Sequence, residues 1–132
     1  MRRITLDSNV FISALNFRGK PLRLLQLAGA GEIEITISKA IISEVVRVLG
    51  DKFTWPAGKL QAAERTIRNL CTVVTPLRAL SAVPDDPDDD RIIECAVAAG
   101  SEAVVTGDRD LLRLQTFENV KIVSVANFLA SI

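Results

Sequence analysis

The stretch DDRIIECAVAAGSEAVVTGDRDLL, residues 89–112, decides the fold class of this 132-residue chain. Its apolar residues first recur with the period of a helix, which predicts an α-helix over Asp89–Ala99 that ends at Gly100. The short apolar run Ala103–Thr106 then predicts a buried strand, and Asp110–Leu114 predicts a short second helix. A helix, a strand and another helix in direct succession are typical of a parallel sheet covered by helices on both faces.

The rest of the chain continues the same alternation. Further strands are predicted where β-branched residues are concentrated, over Arg3–Leu6, Ile33–Ile37, Cys71–Thr75 and Val120–Val123. Further helices are predicted over Val10–Leu15, Pro21–Ala28, Ser38–Leu49, Pro56–Asn69 and Val125–Ala130, and a loop rich in Pro and Asp over Leu77–Asp88. We therefore expect a single α/β domain over residues 1–132 with a central parallel sheet.

The composition narrows the chemistry that the chain can perform. The 16 basic and 16 acidic residues give a net charge of zero, which does not by itself indicate a nucleic-acid-binding protein. The acids are concentrated in residues 85–110, however, so the rest of the chain is net basic and could still form a basic rim. The chain has no His, which excludes His as a general base and His-ligated zinc.

The remaining bulk features concern location. Cys71 and Cys95 lie in apolar surroundings and are expected to be core residues of a protein in a reducing compartment. No apolar run approaches the roughly 20 residues of a membrane span, and Asp7 interrupts any signal-peptide core. We expect a cytoplasmic protein with no membrane association.

Two acidic residues directly follow predicted strands. Asp7 comes after Arg3–Leu6, and Asp108 comes after Ala103–Thr106. Because ligands of parallel sheets bind at the carboxyl ends of the strands, both carboxylates are expected at one edge. Clustered carboxylates repel one another unless a cation lies between them, so this edge is predicted to bind a divalent metal. Both residues can also be helix caps, although Ser8 could cap the first helix equally well.

Asp89 is a third candidate because of its position on the predicted helix. At about 100° per residue it falls near the centre of the apolar arc, with Asp90 at the edge of that arc and Arg91 facing away. A carboxylate that faces a core is costly unless it is paired or bound to a metal. The alternative is an ordinary first-turn acid, since Asp86 followed by Pro87 resembles a helix cap.

Glu44 is a weaker candidate. It lies at the border of the apolar arc of its helix, which Ile41, Ile42, Val45, Val46, Val48 and Leu49 define. From that border its side chain can extend along the core edge towards the end of the sheet. The helical pattern alone favours an ordinary solvated residue.

Three segments, in this order, resemble the successive motifs of the PIN-domain nucleases. They are LDSNVFISA at residues 6–14, SEVVRVL at residues 43–49 and DPDDDRIIECAVAAGSEAVVTGDRDLL at residues 86–112. The resemblance is greatest to the toxin components of toxin–antitoxin systems that are related to the VapC toxins. It covers nearly the whole chain, and its first and last segments are more specific than the middle one.

The resemblance implies a three-layer α/β/α sandwich and a ribonuclease that uses Mg²⁺ or Mn²⁺. Carried over position by position, the metal-binding and catalytic acids would be Asp7, Glu44, Asp89 and Asp108. The supporting polar positions would be Asn9, Thr106 and Asp110. Five acids between Asp85 and Asp90 leave the third acid open by one residue, and the helical arc favours Asp89. The resemblance also implies a small antitoxin as partner.

Oxygen ligands suit Mg²⁺ or Mn²⁺, and one or two such ions could bind a scissile phosphate and activate water without a protein base. The basic residues nearest the expected site in sequence are Arg18, Lys20, Arg91 and Arg109. They are candidates for contacts with the RNA backbone, and each of them can equally be a solvated charge.

Other interpretations remain at this point. A degenerate domain would bind RNA or a protein partner without cleavage. An acid-pocket phosphatase needs a second Asp where this chain has Asn9, and a receiver domain needs adjacent acids where it has Ser8, so both fit less well. A homodimer through the apolar helices around Ile41 and Trp55 is a further expectation.

Overall fold

The computed structural model describes residues 1–77, 79 and 87–132, with the side chains of residues 87 and 88 left out. The predicted loop Leu77–Asp88 and the predicted cap at Asp86 therefore fall largely outside the described residues. The strands are β1 (Arg2–Leu6), β2 (Ile33–Ile37), β3 (Cys71–Val73), β4 (Ala103–Val105), β5 (Thr116–Phe117) and β6 (Val120–Val123). The helices are α1 (Ser8–Asn16), α2 (Gly19–Gly29), α3 (Lys39–Phe53), α4 (Ala57–Leu70), α5 (Pro87–Ala99), α6 (Arg109–Leu114) and α7 (Val125–Ala130).

The strands form one sheet in the order β3-β2-β1-β4-β6-β5. The pairs from β3 through β6 are parallel, as the alternation of strands and helices predicts. The edge strand β5 was not predicted, and it pairs with β6 in the antiparallel direction. A two-residue strand is too short to show a periodic pattern in the sequence. Its position depends on its pairing with the partner strand.

Helices cover both faces of this sheet. Ile4, Thr5 and Leu6 of the central strand β1 are each fully buried, and successive residues of a strand point to opposite faces. Helix α5 covers one face, where it packs on β1, β2 and β4. Among the other helices, α2 packs on β2 and α6 packs on β6. The expected three-layer arrangement is confirmed.

Several element ends differ from the prediction by one or two residues, and the end of α3 differs by four. Helix α3 continues beyond Leu49 to Phe53 and ends at Thr54, which has a left-handed backbone with φ of 53°. A side chain at Gly50 would place its Cβ 3.2 Å from Leu60 of α4, so glycine permits the close approach of α3 and α4. Strand β3 is shorter than predicted and ends at Val73.

Helix α1 leads away from the carboxyl edge of the sheet alongside α3. At its start Ser8 contacts Glu44, whereas beyond its last residue the Phe17 ring packs edge-on against Phe53, with 5.6 Å between ring centroids. Ile41 is fully buried in the core of its own chain, so it is not available to a second copy. Phe17, by contrast, is 68% exposed. No helix of the described residues is long and apolar enough to cross a membrane.

Candidate metal centre

The residues that follow β1 and β4 lie side by side at the carboxyl edge of the sheet. The Asp7 N–H donates to the Val105 carbonyl at 3.0 Å, and the Thr106 N–H donates to the Val123 carbonyl at 3.0 Å. These hydrogen bonds continue the pairing of the sheet by one residue beyond β1 and β4, and they fix the backbone at both positions. This brings the Thr106 hydroxyl to Asp7, where it donates to Oδ2 at 2.7 Å.

Three carboxylates meet at this edge. Asp7, Asp89 and Asp108 each offer an oxygen, and these oxygens all lie within 4.8 Å of one another. Asp7 is 3% exposed and Asp89 is 6% exposed, while Asp108 is half-buried. Oxygens that share one Mg²⁺ at about 2.1 Å lie no more than about 4.2 Å apart, so a small movement would complete a site for one cation. The three residues come from the end of β1, the first turns of α5 and the end of β4.

The electrostatics of the centre favour a bound cation. Burial raises the pKa of the Asp7 carboxyl above its ordinary value, and the carboxylates of Asp108 and Glu44 raise it further. Hydrogen bonds from Thr106 and from the Asn9 backbone oppose part of that rise. A cation would relieve both the desolvation and the repulsion, because it stabilises the ionised form of every carboxylate it touches.

Glu44 lies at the rim of the three-carboxylate group. Its Oε2 accepts a hydrogen bond of 2.7 Å from the hydroxyl of Ser8, which is itself buried. Its charge is near enough to raise the pKa of Asp7. Ser8 thus holds Glu44 beside Asp7, but Glu44 is not one of the three carboxylates whose oxygens lie within 4.8 Å of one another.

The sequence matches the family model of the PIN domain over residues 3–110. This chain belongs to the PIN-domain family. The matched residues include all four acids that the motifs indicated, and the match disfavours the phosphatase and receiver interpretations. No curated protein gives a significant match.

Solved structures with the same fold support the architecture of this PIN domain. VapBC2 from Rickettsia felis, solved with a DNA fragment from its promoter, is similar with a TM-score of 0.66 and 14% identity, over 92% of this chain and 98% of the other. VapBC-1 from nontypeable Haemophilus influenzae has a TM-score of 0.66 and 11% identity, over 94% and 98%. The T. brucei RRP44 PIN domain has a TM-score of 0.52 and 17% identity, over 98% and 80%. At these identities the likeness concerns the fold alone.

The predicted supporting residues of the PIN domain act mainly on the acids. The fully buried Thr106 donates to Asp7 and accepts from the Asp108 N–H at 2.9 Å, so one hydroxyl connects two acids. Asn9 reaches Asp7 through its backbone N–H, and its side chain is exposed. Asp110 donates its N–H to Asp108 Oδ1 at 2.7 Å, while its own carboxylate accepts from Arg113.

The four basic candidates divide into two groups. Arg91 on α5 and Arg109 at the start of α6 lie within two residues of Asp89 and Asp108, respectively. Arg18 and Lys20 lie beyond the far end of α1, which at 1.5 Å per residue is about 13 Å of helix away from the carboxyl edge. Arg91 and Arg109 are therefore close in the chain to two of the acids, and the Arg91 side chain pairs with Glu94, whereas Arg18 and Lys20 lie beyond the opposite end of α1.

Two residues near the centre were not singled out by sequence reasoning. Nothing in the sequence connects Ser8 to Glu44, which lies 36 positions away in another helix. Glu94 falls on the outward side of α5 by helical period, yet its side chain is only 7% exposed and accepts a hydrogen bond of 2.8 Å from Arg91. The burial of Glu94 in the folded chain has no local signal in the sequence.

Proposed function

We propose that this PIN domain is an endoribonuclease that cleaves RNA phosphodiester bonds with Mg²⁺ or Mn²⁺ held by Asp7, Asp89 and Asp108, and with Glu44 at the rim. The observation that carries the proposal is the convergence of three carboxylates, two of them buried, at the carboxyl edge of the sheet. All-oxygen donor sets suit these two ions better than softer metals. Membership of the PIN-domain family supports the same chemistry.

The residues of the chain divide the work between binding and orientation. A bound ion would supply a polarised phosphate oxygen and a water of lowered pKa. Thr106 fixes the orientation of Asp7, and the N–H groups of Asp110 and Leu111 hold Asp108. Arg109 is exposed beside the centre, where it can contact the phosphate backbone of the substrate. Since the chain lacks His, proton transfer would pass through water or a carboxylate.

The decisive experiment is cleavage of a mixed set of structured and single-stranded RNAs with and without Mn²⁺. Asp7→Asn is the test variant, and Asp51→Asn, an exposed acid on α3, is the matched control. We expect metal-dependent cleavage by the wild type and the control, and loss of cleavage in Asp7→Asn. Absence of both cleavage and Mn²⁺ binding in the wild type would contradict the proposal and favour a degenerate binding domain.

We further propose that the protein is the toxin of a toxin–antitoxin pair and that a small antitoxin is its partner. The support is the resemblance of its motifs to VapC-related toxins, together with the shared fold of two proteins described as VapBC. Induced expression of the wild type in a bacterial host should arrest growth, and Asp7→Asn should not. Equal growth of the two strains, at equal protein levels, would argue against a toxin.

A further inference from the structure

A cleft of about 100 Å³ opens at the carboxyl edge of the sheet, where residues that follow β2 and β3 face α5. It lies between the start of α3, the segment that follows β3, and α5. The residues that matter for its chemistry are Lys39, Ala40, Val74, Pro76, Arg91 and Glu94. None of these residues belongs to the three-carboxylate group, so the cleft is a separate feature of the surface.

The cleft lies about one nucleotide away from the metal centre. Strands β2 and β3 follow β1 in the sheet, and neighbouring strands are about 4.8 Å apart, so the cleft is displaced by about 5–10 Å sideways along the sheet from Asp7. On α5, Glu94 follows Asp89 by five residues, or about 7.5 Å along the helix axis. A polynucleotide with its scissile phosphate at the carboxylates could therefore place an adjacent base in the cleft.

The walls of the cleft combine apolar surface with one fixed polar pair. Ala40, Val74 and Pro76 supply apolar contacts of the kind that the face of a nucleobase accepts. Arg91 donates to Glu94 at 2.8 Å, so a guanidinium and a carboxylate stand together at one side of the cleft. The guanidinium of Arg91 presents hydrogen-bond donors and the carboxylate of Glu94 presents acceptors. The edge of a base carries both acceptors and donors, so it can pair with both groups.

Two further features define the ligand. Lys39 is exposed at the start of α3, where its ammonium can reach a phosphate of the same nucleotide. The burial of Glu94 restricts its motion, and a fixed polar group discriminates between ligands better than a mobile one. The Watson–Crick and Hoogsteen edges of a base are accessible for such contacts in single-stranded RNA and not in an A-form duplex.

We propose that this cleft binds one unpaired nucleobase next to the scissile phosphate, and that Arg91 and Glu94 select that base. The inference rests on the proposed ribonuclease function for its substrate class. It assigns the cleavage-site preference of the enzyme to a pocket outside the metal centre. Arg91, named above as a contact for the RNA backbone, acts on the base in this arrangement.

The test measures binding of fluorescein-labelled nonanucleotides UUUUXUUUU, in which X is A, C, G or U, by fluorescence anisotropy in Mn²⁺. An Asp7→Asn background prevents cleavage during the measurement. We expect one base at X to bind at least about fivefold tighter than the other three, in line with a well-placed pair of hydrogen bonds. Glu94→Gln replaces a pure acceptor by a donor and an acceptor, so it should change which base is preferred or reduce the preference below twofold.

A second variant keeps the proposal testable if Glu94→Gln is unstable. Ala40→Leu fills the cleft from an exposed helix position and leaves Arg91 and Glu94 untouched, and it should also reduce the preference below twofold. Gln61→Leu, on the exposed surface of α4, adds the same side chain elsewhere and should retain the preference. Equal binding of all four bases by the parent protein, or a preference unchanged in Ala40→Leu, overturns the proposal.

The same oligonucleotides separate this inference from the nuclease proposal. With Asp7 intact, Mn²⁺-dependent cleavage that shows no base preference would leave the nuclease standing and overturn the base pocket. A base preference in binding that Ala40→Leu removes, without any cleavage, would support the pocket and contradict the nuclease.

Discussion

The two edges of the central sheet handle charge in opposite ways. At the amino edge, acids and bases are matched: Arg2 pairs with Glu102 at 3.0 Å, and Arg3 pairs with Glu34. At the carboxyl edge, Asp7, Asp89 and Asp108 bring like charges within 4.8 Å. The pKa values follow this difference, because the hydrogen bond from Arg3 lowers the pKa of Glu34, whereas burial raises that of Asp7.

The difference separates the part of the sheet that holds the fold from the part that is arranged for a ligand. Exposed ion pairs such as those of the amino edge contribute about 0–1 kcal/mol each, and they need nothing from outside the chain. A group of buried carboxylates lowers the stability of the free protein, because desolvation and repulsion both disfavour its charged state. Such an arrangement is useful when a cation offsets that cost.

The largest expected effect distinguishes Asp89 from its neighbour Asp90. Both side chains are buried on α5, but Asp89 belongs to the three-carboxylate group. We expect Asp89→Asn to lower Mn²⁺-dependent RNA cleavage by more than about a hundredfold, since metal ions contribute several kcal/mol and each 1.4 kcal/mol is tenfold. Asp90→Asn should retain most of the activity, and Glu102→Gln at the amino edge should be neutral. Loss of activity in Asp90→Asn alone would move the third acid by one residue.

Stabilisation of the protein by bound metal should depend on the acids of the carboxyl edge and not on those of the amino edge. Saturating Mn²⁺ at about a hundred times its Kd should stabilise the wild type by about 2.7 kcal/mol, which thermal unfolding with a titration of Mn²⁺ would detect. Asp89→Asn should lose this response, whereas Glu34→Gln should retain it. A response of equal size in Asp89→Asn would place the metal elsewhere.

The contact between Ser8 and Glu44 should have an intermediate effect. Residues that orient metal ligands typically change metal affinity or activity by 10–100-fold, and we expect Ser8→Ala to lie near the lower limit, at about tenfold. The matched control is Ser13→Ala, further along α1. Recovery of activity in Ser8→Thr, which restores the hydroxyl, would show that orientation of Glu44 is the cause. An unchanged metal dependence of activity in Ser8→Ala would contradict this role.

The smallest effects concern the metal-free protein and have opposite signs at the two edges. Because the pKa of Asp7 is raised from 3.8, ionisation costs stability as pH rises through the folded-state value, so Asp7→Asn should raise Tm at neutral pH and lose this advantage near pH 3. The pKa of Glu34 is lowered from 4.5, so its stabilising contribution is present above that pH and is lost as pH falls through the folded-state value.

Glu34→Gln should therefore lower Tm slightly at neutral pH and converge with the wild type in acid. The measurement is thermal unfolding of both variants in a chelating buffer from pH 3 to 7. A fall in Tm for Asp7→Asn at neutral pH would show that the carboxylates at the carboxyl edge are stabilised by the surrounding protein and do not require a cation for that purpose.

Much of the centre was accessible to sequence reasoning for a simple topological reason. Asp7 and Asp108 follow buried strands, and parallel strands place such residues at one edge whatever the details of packing. Asp89 could be found because a helix places its inward residues at a fixed period. Asp7 also caps α1 through the Asn9 N–H, so the capping and metal-binding interpretations of this residue are compatible.

Other features could not be obtained in this way. The antiparallel strand β5 is determined by its pairing with β6, and the burial of Glu94 is a property of the folded chain that the period of α5 does not predict. Glu44 has an ambiguous position on its own helix, and only the approach of α1 supplies the hydroxyl of Ser8. Each of these depends on contacts between segments that are distant in sequence, which local periodicity does not encode.

The sequence by itself determined the α/β class, the parallel central sheet, two acids at its carboxyl edge and Asp89 on the inward side of a helix, because helical and strand periods and strand ends are local properties. Only the tertiary structure decided how those acids are spaced, which hydroxyl groups orient them and where the neighbouring cleft lies. Distances between elements are set by side-chain packing across the whole core, and a small displacement of a helix moves every metal-binding side chain on that helix.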